Sequence, residues 1–274
     1  MKKTEAAEKI RLNKAIAARS KYSRREADKL ILEGRVNLGR TKIEDPATQV
    51  EPDADLFIDG RRLPQKAEAY TVIVYHKPKG ELVTKRDPEG RRTIYQGLSS
   101  RFAHFVPVGR LDYASEGLLL LTDSPEVADA LMNSHEERIY NIKIDGSVTA
   151  EMELAMSEGL ELSDARAGGH ERSDIRAMSF APFAAWRVEK NHPRYSRLKL
   201  ALTEGKNREI RRFFAHFGRQ VLDLKRVSFA KISLNALPVG KTRFLEKKEY
   251  DWLHEFLKHT QRSPRDKADA QKPL

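Results

Sequence analysis

Apolar positions fall into helical and strand-like periods in a readable order along the chain. Leu12, Ala15, Ile16 and Arg19 share one helix face with a narrow apolar stripe. Ser23-Arg24-Arg25-Glu26 is a capping box that starts a second helix. Ala27, Leu30 and Ile31 face inward in it, and Gly34 suits its end. Arg35–Leu38 predicts a strand, Gly39-Arg40 a tight turn, and Thr41–Ile43 the return strand. Leu56–Ile58 predicts a further short strand, closed by Asp59-Gly60.

The rest of the chain is richer in strands. Thr71–Tyr75 predicts a strand interrupted by the Pro78-Lys79-Gly80 loop, and Leu118–Thr122 a buried one. Ser124 and Pro125 open a short helix. Tyr140, Ile142 and Ile144 alternate with Asn141 and Lys143, and Leu198, Leu200 and Leu202 repeat that half-buried pattern. Ile210, Phe213, Phe214 and Phe217 line one helix face that stops at Gly218, and Tyr250, Leu253, Phe256 and Leu257 line a last helix. The expected class is α+β. A small αα-β domain over 9–63 and a linker over 64–69 come first. A mixed, largely antiparallel sheet with flanking helices follows over 70–259, then a disordered polar tail over 260–274.

Composition narrows the partners. The chain has 274 residues, 51 basic against 40 acidic, a net charge of +11. That excess points to a polyanion, nucleic acid before anionic membrane. Eleven basic residues against three acidic ones lie between Lys9 and Lys42, after which Glu44, Asp45, Glu51, Asp53, Asp55 and Asp59 reverse the sign. Lys14, Arg19, Arg24, Arg25 and Arg35 surround the helix pair and hairpin as an expected RNA-facing set. Cysteine is absent, which excludes disulfides, Cys-ligated metals and thiol catalysis. The longest aliphatic run, Leu118–Leu121, is far short of the roughly 20 residues of a membrane span. No apolar core follows the first lysines, so a signal peptide is not expected and a cytoplasmic location is.

The eight histidines lack metal-ligand spacing, and no phosphate loop or glycine-rich dinucleotide turn occurs. No metal or cofactor is expected, so any catalysis falls to side chains. Two segments stand out. Gly109-Arg110-Leu111-Asp112-Tyr113-Ala114-Ser115-Glu116-Gly117 sets polar groups directly before a fully apolar strand, placing Asp112 on a loop at a sheet edge. A carboxylate there serves either as a nucleophile or base, or as a turn stabiliser. In Glu204–Arg212, Asn207 is expected to cap a helix whose first turn crowds Lys206, Arg208, Arg211 and Arg212. Cations there oppose the helix dipole by a few tenths to about 1 kcal/mol each, which fits either anionic partners or a solvated basic face. Tyr140 lies on the apolar side of its strand, as a core ring or as a platform for a base.

With these residues the chain resembles, over nearly its whole length, the RsuA/RluB-type bacterial rRNA pseudouridine synthases. Gly109–Thr122 is similar to their catalytic loop, Arg138-Ile139-Tyr140 to their basic-x-Tyr motif, and Leu202–Arg212 to their third motif. The first domain resembles the S-four RNA-binding domain. Lys77–Thr84 and Asp87–Arg91 look most like the large-subunit branch. The departures are Ser20 for a frequent Gly, Phe213 for a frequent Met, and Glu209 for a frequent Gln. The resemblance implies cofactor-free isomerisation of a uridine in rRNA, acting in ribosome biogenesis. Asp112 is then the nucleophile or base, at C1′ or C6; Arg211 is its counter-ion, and Tyr140 packs on the uracil. Leu200, Leu202 and Ile210 wall the pocket. Arg110 fills the gap left by the flipped base, and Lys206, Arg208 and Arg212 join the RNA contacts. The expected partner is rRNA or a pre-ribosomal particle, with no membrane, and the expected state a monomer. The alternatives are the same chemistry on small-subunit rRNA, or a non-catalytic RNA-binding assembly factor.

Overall fold

A computed structural model describes residues 9–20, 22–51, 54–64, 70–170 and 173–261. Most of the expected linker (65–69) and most of the expected tail (262–274) lie outside the described residues. The chain forms two compact units, one of residues up to Thr71 with Thr122–Glu126, the other of Val72–Leu121 with Val127 onward.

The first unit runs β1 (Ile10–Arg11), α1 (Leu12–Arg19), α2 (Arg24–Leu32), β2 (Val36–Leu38), β3 (Thr41–Ile43), β4 (Gln49–Val50), β5 (Leu56–Ile58) and β6 (Arg61–Arg62). The helices form where the spacing predicts them. Ser23 and Glu26 complete the capping box at the start of α2, which satisfies backbone N–H groups the helix leaves open. Gly34 takes the left-handed conformation (φ 65°) that ends it. Leu12, Ile16, Ala27, Ile31, Val36 and Leu56 are fully buried together. Arg19 corrects an expectation. It is 6% exposed and donates to Ala54 O at 2.7 Å and Pro64 O at 2.8 Å, so it ties down the unit's own backbone and is not an RNA-facing charge.

The second unit contains β7 (Val72–Lys77), α3 (Ile94–Gly97), β8 (Val106–Pro107), β9 (Glu116–Thr122), α4 (Pro125–Met132), β10 (Arg138–Asp145) and α5 (Ala150–Glu158). After these come β11 (Leu160–Leu162), β12 (Met178–Phe180), β13 (Ala185–Lys190), β14 (Tyr195–Leu202) and α6 (Glu209–His216). It ends with β15 (Val221–Phe229), β16 (Ile232–Ser233), β17 (Thr242–Phe244) and α7 (Lys247–Gln261). The main sheet has the order β13-β14-β10-β15-β9-β7-β17. Its β10·β14, β10·β15, β13·β14 and β7·β17 pairs are antiparallel, but β15 meets β9 in parallel through Lys225↔Glu116 and Arg226↔Gly117. A parallel junction therefore lies beside the loop that carries Asp112.

Two apolar clusters fill this unit. One gathers α5, α6, β10 and β14 around Phe213 and Phe214; the other gathers β7, β9 and the segment from Ile94 to Leu111. Tyr140 packs against both. The strand expected at Thr71–Tyr75 runs on to Lys77 because its polar end residues find partners. His76 bonds Leu237 O and Glu116, and Lys77 bonds three carbonyls. The last helix likewise continues through Thr260 and Gln261, past the expected start of the tail. Among the described residues no helix is long and apolar enough to cross a membrane.

Candidate active site

A cavity of about 750 Å³ opens where the Gly109–Ser115 loop, β10, β15 and the start of α6 converge. Asp112, Tyr140 and Arg211 all line it, as do Arg110, Lys206, Arg208, Leu202 and Ile210.

Asp112 is fixed through its loop. Leu111 plugs into the apolar cluster at 6% exposure. Ser115 N donates to Asp112 O at 3.0 Å, closing the turn, and Gly80 N donates to Tyr113 O at 2.7 Å. The Lys77 ammonium lies fully buried beneath and donates to Pro78 O (2.9 Å), Asp112 O (3.1 Å) and Ser115 O (2.9 Å). Burial pushes its pKa down to about 8, against the pull of Glu81, Asp112 and Glu116.

Arg211 reaches the same loop from α6. Its Nη2 donates to Ser115 Oγ (3.3 Å) and Ala114 O (3.4 Å), and its Nη1 to Val221 O (3.1 Å). Its Nε stands 3.6 Å from Asp112 Oδ2, an ion pair slightly too long for a hydrogen bond, and is buried with no hydrogen-bond partner. Burial pushes this guanidinium below the ordinary arginine value, and the charge of Asp112 opposes that. The Asp112 side chain keeps 33% exposure against 12% for Arg211, so the carboxylate faces the cavity while its counter-ion lies behind it.

Tyr140 is half-buried on β10, opposite Leu200 on β14 and Arg226 on β15. Its ring forms part of the cavity wall between the two apolar clusters. Leu202 and Ile210 line the cavity as expected. Leu200 does not; it is fully buried in the cluster behind Tyr140.

The third segment differs in detail from its reading. The residue before α6 is Arg208, in the left-handed conformation (φ 51°), and no side chain caps the helix. Asn207 instead supplies its backbone and side-chain oxygens to Arg212. Arg212 is fully buried and also bonds Ala165 O and Ser173 Oγ. It ties loops together and is not available to RNA. Arg208 donates to Gly168 O at 2.8 Å and is half-buried. Lys206 is paired with Glu204 at 2.7 Å. Arg110 is exposed. Glu209 is buried on the cavity wall and accepts from Lys206 N at 3.1 Å. Burial pushes its carboxyl up to about 7, with Lys206 N opposing and the charge of Glu204 adding to the rise.

In the first unit, Lys14 and Arg24 share a groove of about 440 Å³ with Lys9 and Arg11, and Arg25 is exposed. Arg35 is exposed but already held by Asp59 at 2.6 Å and Glu33 at 3.1 Å, so its charge is largely matched.

Lys77, Arg138 and Arg226 are contributors that the sequence reading did not single out for a role. Lys77 does leave a trace, as a lysine following the apolar run Val72–Tyr75 and His76, just before Pro78. Arg226 leaves none, since β15 alternates weakly. Among the described residues no three His, Asp or Glu side chains are grouped closely enough to hold a metal ion.

Comparison with known proteins places this geometry in context. A family model described as RNA pseudouridylate synthase matches residues 71–216, and one described as S4 domain matches 10–56. An uncharacterized RNA pseudouridine synthase of Helicobacter pylori is 52% identical over 249 residues, covering 90% of this chain and 95% of that protein. Ribosomal large subunit pseudouridine synthase B of Vibrio cholerae is 35% identical over 255 residues, covering 90% of this chain and 75% of that protein. A pseudouridylate synthase crystal structure shares the fold, with a TM-score of 0.59 at 24% identity over 89% of this chain and 99% of that one.

Proposed function

The chain belongs to the RNA pseudouridylate synthase family, and from that premise we propose that it converts a uridine of large-subunit rRNA to pseudouridine, with Asp112 as the nucleophile on a flipped-out base. Pseudouridine synthase activity on RNA follows from the family itself. The large subunit is favoured by relatives such as the Vibrio cholerae protein.

The observation that carries the assignment of Asp112 is its ion pair with Arg211 inside a cavity that Tyr140 also walls. The reaction breaks the bond from N1 to C1′, turns the uracil, joins C5 to C1′ and moves the C5 proton away while N1 gains one. Atoms balance without a co-reactant. The reaction calls on Asp112 as a carboxylate, and the permanent cation of Arg211 lies beside it at 3.6 Å. Attack at C1′ or at C6 is compatible with a carboxylate in this position. Tyr140 supports the face of the uracil, which stacks readily on an aromatic ring. Unstacking the base costs a few kcal/mol; Arg110, two residues before Asp112, fills the vacated space, and phosphate contacts from Lys14, Arg24 and Arg25 help offset the cost.

Pseudouridine mapping of both rRNAs in a deletion strain, complemented with wild type or Asp112→Ala, tests the proposal. One large-subunit site should vanish on deletion and return only with the wild type. Loss confined to a small-subunit site, or restoration by Asp112→Ala, would overturn it.

A further inference from the structure

Arg226 lines the same cavity and is only 4% exposed. Its Nε donates to Leu118 O at 2.7 Å, but its Nη2 is buried with no hydrogen-bond partner. Buried donors are almost always satisfied in folded proteins, so an orphan marks a missing acceptor. No ion pair involves Arg226 among the described residues. The carboxylates of its own strand and of the strand alongside are taken by other cations, Asp223 by Lys79 and Glu116 by Lys225.

A second buried guanidinium faces the same space. Arg138 is 6% exposed, and its Nη atoms donate only to main-chain carbonyls of Met132, Ser134, Glu136 and Thr203. Both guanidinium groups lie near the Phe229 ring, at 4.9 Å for Arg138 and 5.8 Å for Arg226. Two like charges beside one cavity, neither held in an ion pair with a carboxylate among the described residues, repel each other.

The position also fits the reaction. Arg226 pairs across β15·β10 with Tyr140 and across β15·β9 with Gly117, five residues beyond Asp112. Directly paired residues project neighbouring side chains. Gly117 adds none: a Cβ there would fall 2.2 Å from Arg226 O. The guanidinium is thus set beside the ring expected to support the base.

We propose that Arg226 binds a phosphodiester group flanking the target uridine and so fixes the flipped nucleotide over Asp112, with the charge of Arg138 strengthening the site. The proposal rests on the reading of the cavity as an RNA pseudouridine synthase site. A guanidinium fork suits a phosphate, which offers two acceptor oxygens and a charge. The Nη atoms of Arg138 are engaged with carbonyls, so Arg138 contributes field and Arg226 the hydrogen bond. Arg226 is a positioning residue, since it meets the backbone and not the reacting atoms.

The test uses the rRNA site lost on deletion, prepared with each flanking phosphodiester replaced in turn by an uncharged methylphosphonate. With the wild-type enzyme, one replacement should raise the half-saturating concentration in single-turnover assays about tenfold to a hundredfold, the range for a charge-assisted hydrogen bond. With Arg226→Gln, native RNA should bind more weakly by a similar factor, and the same replacement should then cost less than about threefold. Arg226→Lys should recover part of the loss. An indifferent wild type, as when only a bound water satisfies Nη2, overturns the proposal. So does an Arg226→Gln enzyme that responds to the replacement as strongly as wild type. If thermal melting shows that Arg226→Gln does not fold, the wild-type arm alone decides. Failure of the wild type to convert the unmodified RNA is a different result; it sinks the functional reading, and this assignment with it.

Discussion

Replacing Lys77 with methionine should uncouple stability from chemistry. The ammonium donates to three carbonyls, two of them in the Asp112 loop, at 2.9–3.1 Å. Removing it leaves Ser115 O, in a residue 1% exposed, without that donor, while the Asp112 loop is open enough to recruit water. At about 1–3 kcal/mol for that one unsatisfied group, the loss is about 1–3 kcal/mol. Against this stands the cost of burying the charge. A pKa lowered from 10.5 to about 8 corresponds to about 3 kcal/mol favouring the neutral amine. The two nearly cancel, so Lys77→Met should differ from wild type by only about 1 kcal/mol at pH 7. The single-turnover rate should nonetheless fall about a hundredfold, because a displacement of about 1 Å at a reacting group costs that much. The pH dependence separates the two effects. Between pH 8 and 10.5 unfolded Lys77 holds its proton and folded Lys77 has lost it, so wild-type stability rises with pH in that window. Wild-type stability relative to Lys77→Met should therefore rise by up to about 3 kcal/mol across it. Denaturant unfolding at pH 7 and 10, with single-turnover rates at pH 7.5, reads both. A variant with the wild-type rate, or a stability difference that stays flat with pH, would refute the reasoning.

Gly117→Ala should cost at least about 3 kcal/mol, because φ is +114° and the new Cβ would meet Arg226 O at 2.2 Å; an unchanged melting temperature would contradict the close approach of β9 and β15. Arg24→Ala with Arg25→Ala should flatten the slope of log affinity for RNA against log salt by about 1.5. Arg19→Ala should instead lower stability and leave the slope of the folded protein unchanged, as binding titrations at several ionic strengths would show. For Glu209 the folded pKa, near 7, lies above the ordinary 4.5, so its contribution is full below pH 4.5 and lost as pH rises through about 7. Glu209→Gln should match wild type at pH 4.5 and exceed its stability at pH 8.5 by on the order of 1–3 kcal/mol; equal stabilities at both pH values would exclude the raised pKa.

Where local rules decide the outcome, the sequence was a good guide. The Ser23–Glu26 capping box, the helix end at Gly34 and the alternation of Leu198, Leu200 and Leu202 each depend on neighbours a few residues away. The loop of Asp112 was legible because polar residues stop abruptly before Leu118. What failed was the assumption that a basic side chain in a basic segment faces solvent. Arg19 and Arg212 are buried because carbonyls from distant loops lie within reach, a tertiary fact with no trace in spacing. Asn207 was misplaced for the same reason, since Arg212 claims the oxygens a cap would use. Leu200 and Leu202 share a face, yet only the second reaches the cavity; distance along β14 decides that and periodicity does not. Helix α5 was not foreseen, although Thr149 accepts from Met152 N at its start and Met152, Ala155 and Met156 are spaced for one buried face.

The parallel junction of β9 with β15 also fixes when the cavity can exist. In sheet order β15 alone stands between β10 and β9. Without it β13, β14 and β10 form one fragment and β9, β7 and β17 another, with Tyr140 on the first and the support of Asp112 on the second. Glu116 must wait for Lys225 to be synthesised before the two can pair. Pairings between such distant segments form slowly, because the intervening chain must be ordered first. A chain ending at residue 216, where the family match stops, would carry Asp112, Tyr140 and Arg211 yet lack the strand that joins their supports. On the ribosome the nascent protein would accordingly stay catalytically inert until β15 has been made, and a frameshift ahead of that strand would silence the chemistry as completely as the loss of Asp112.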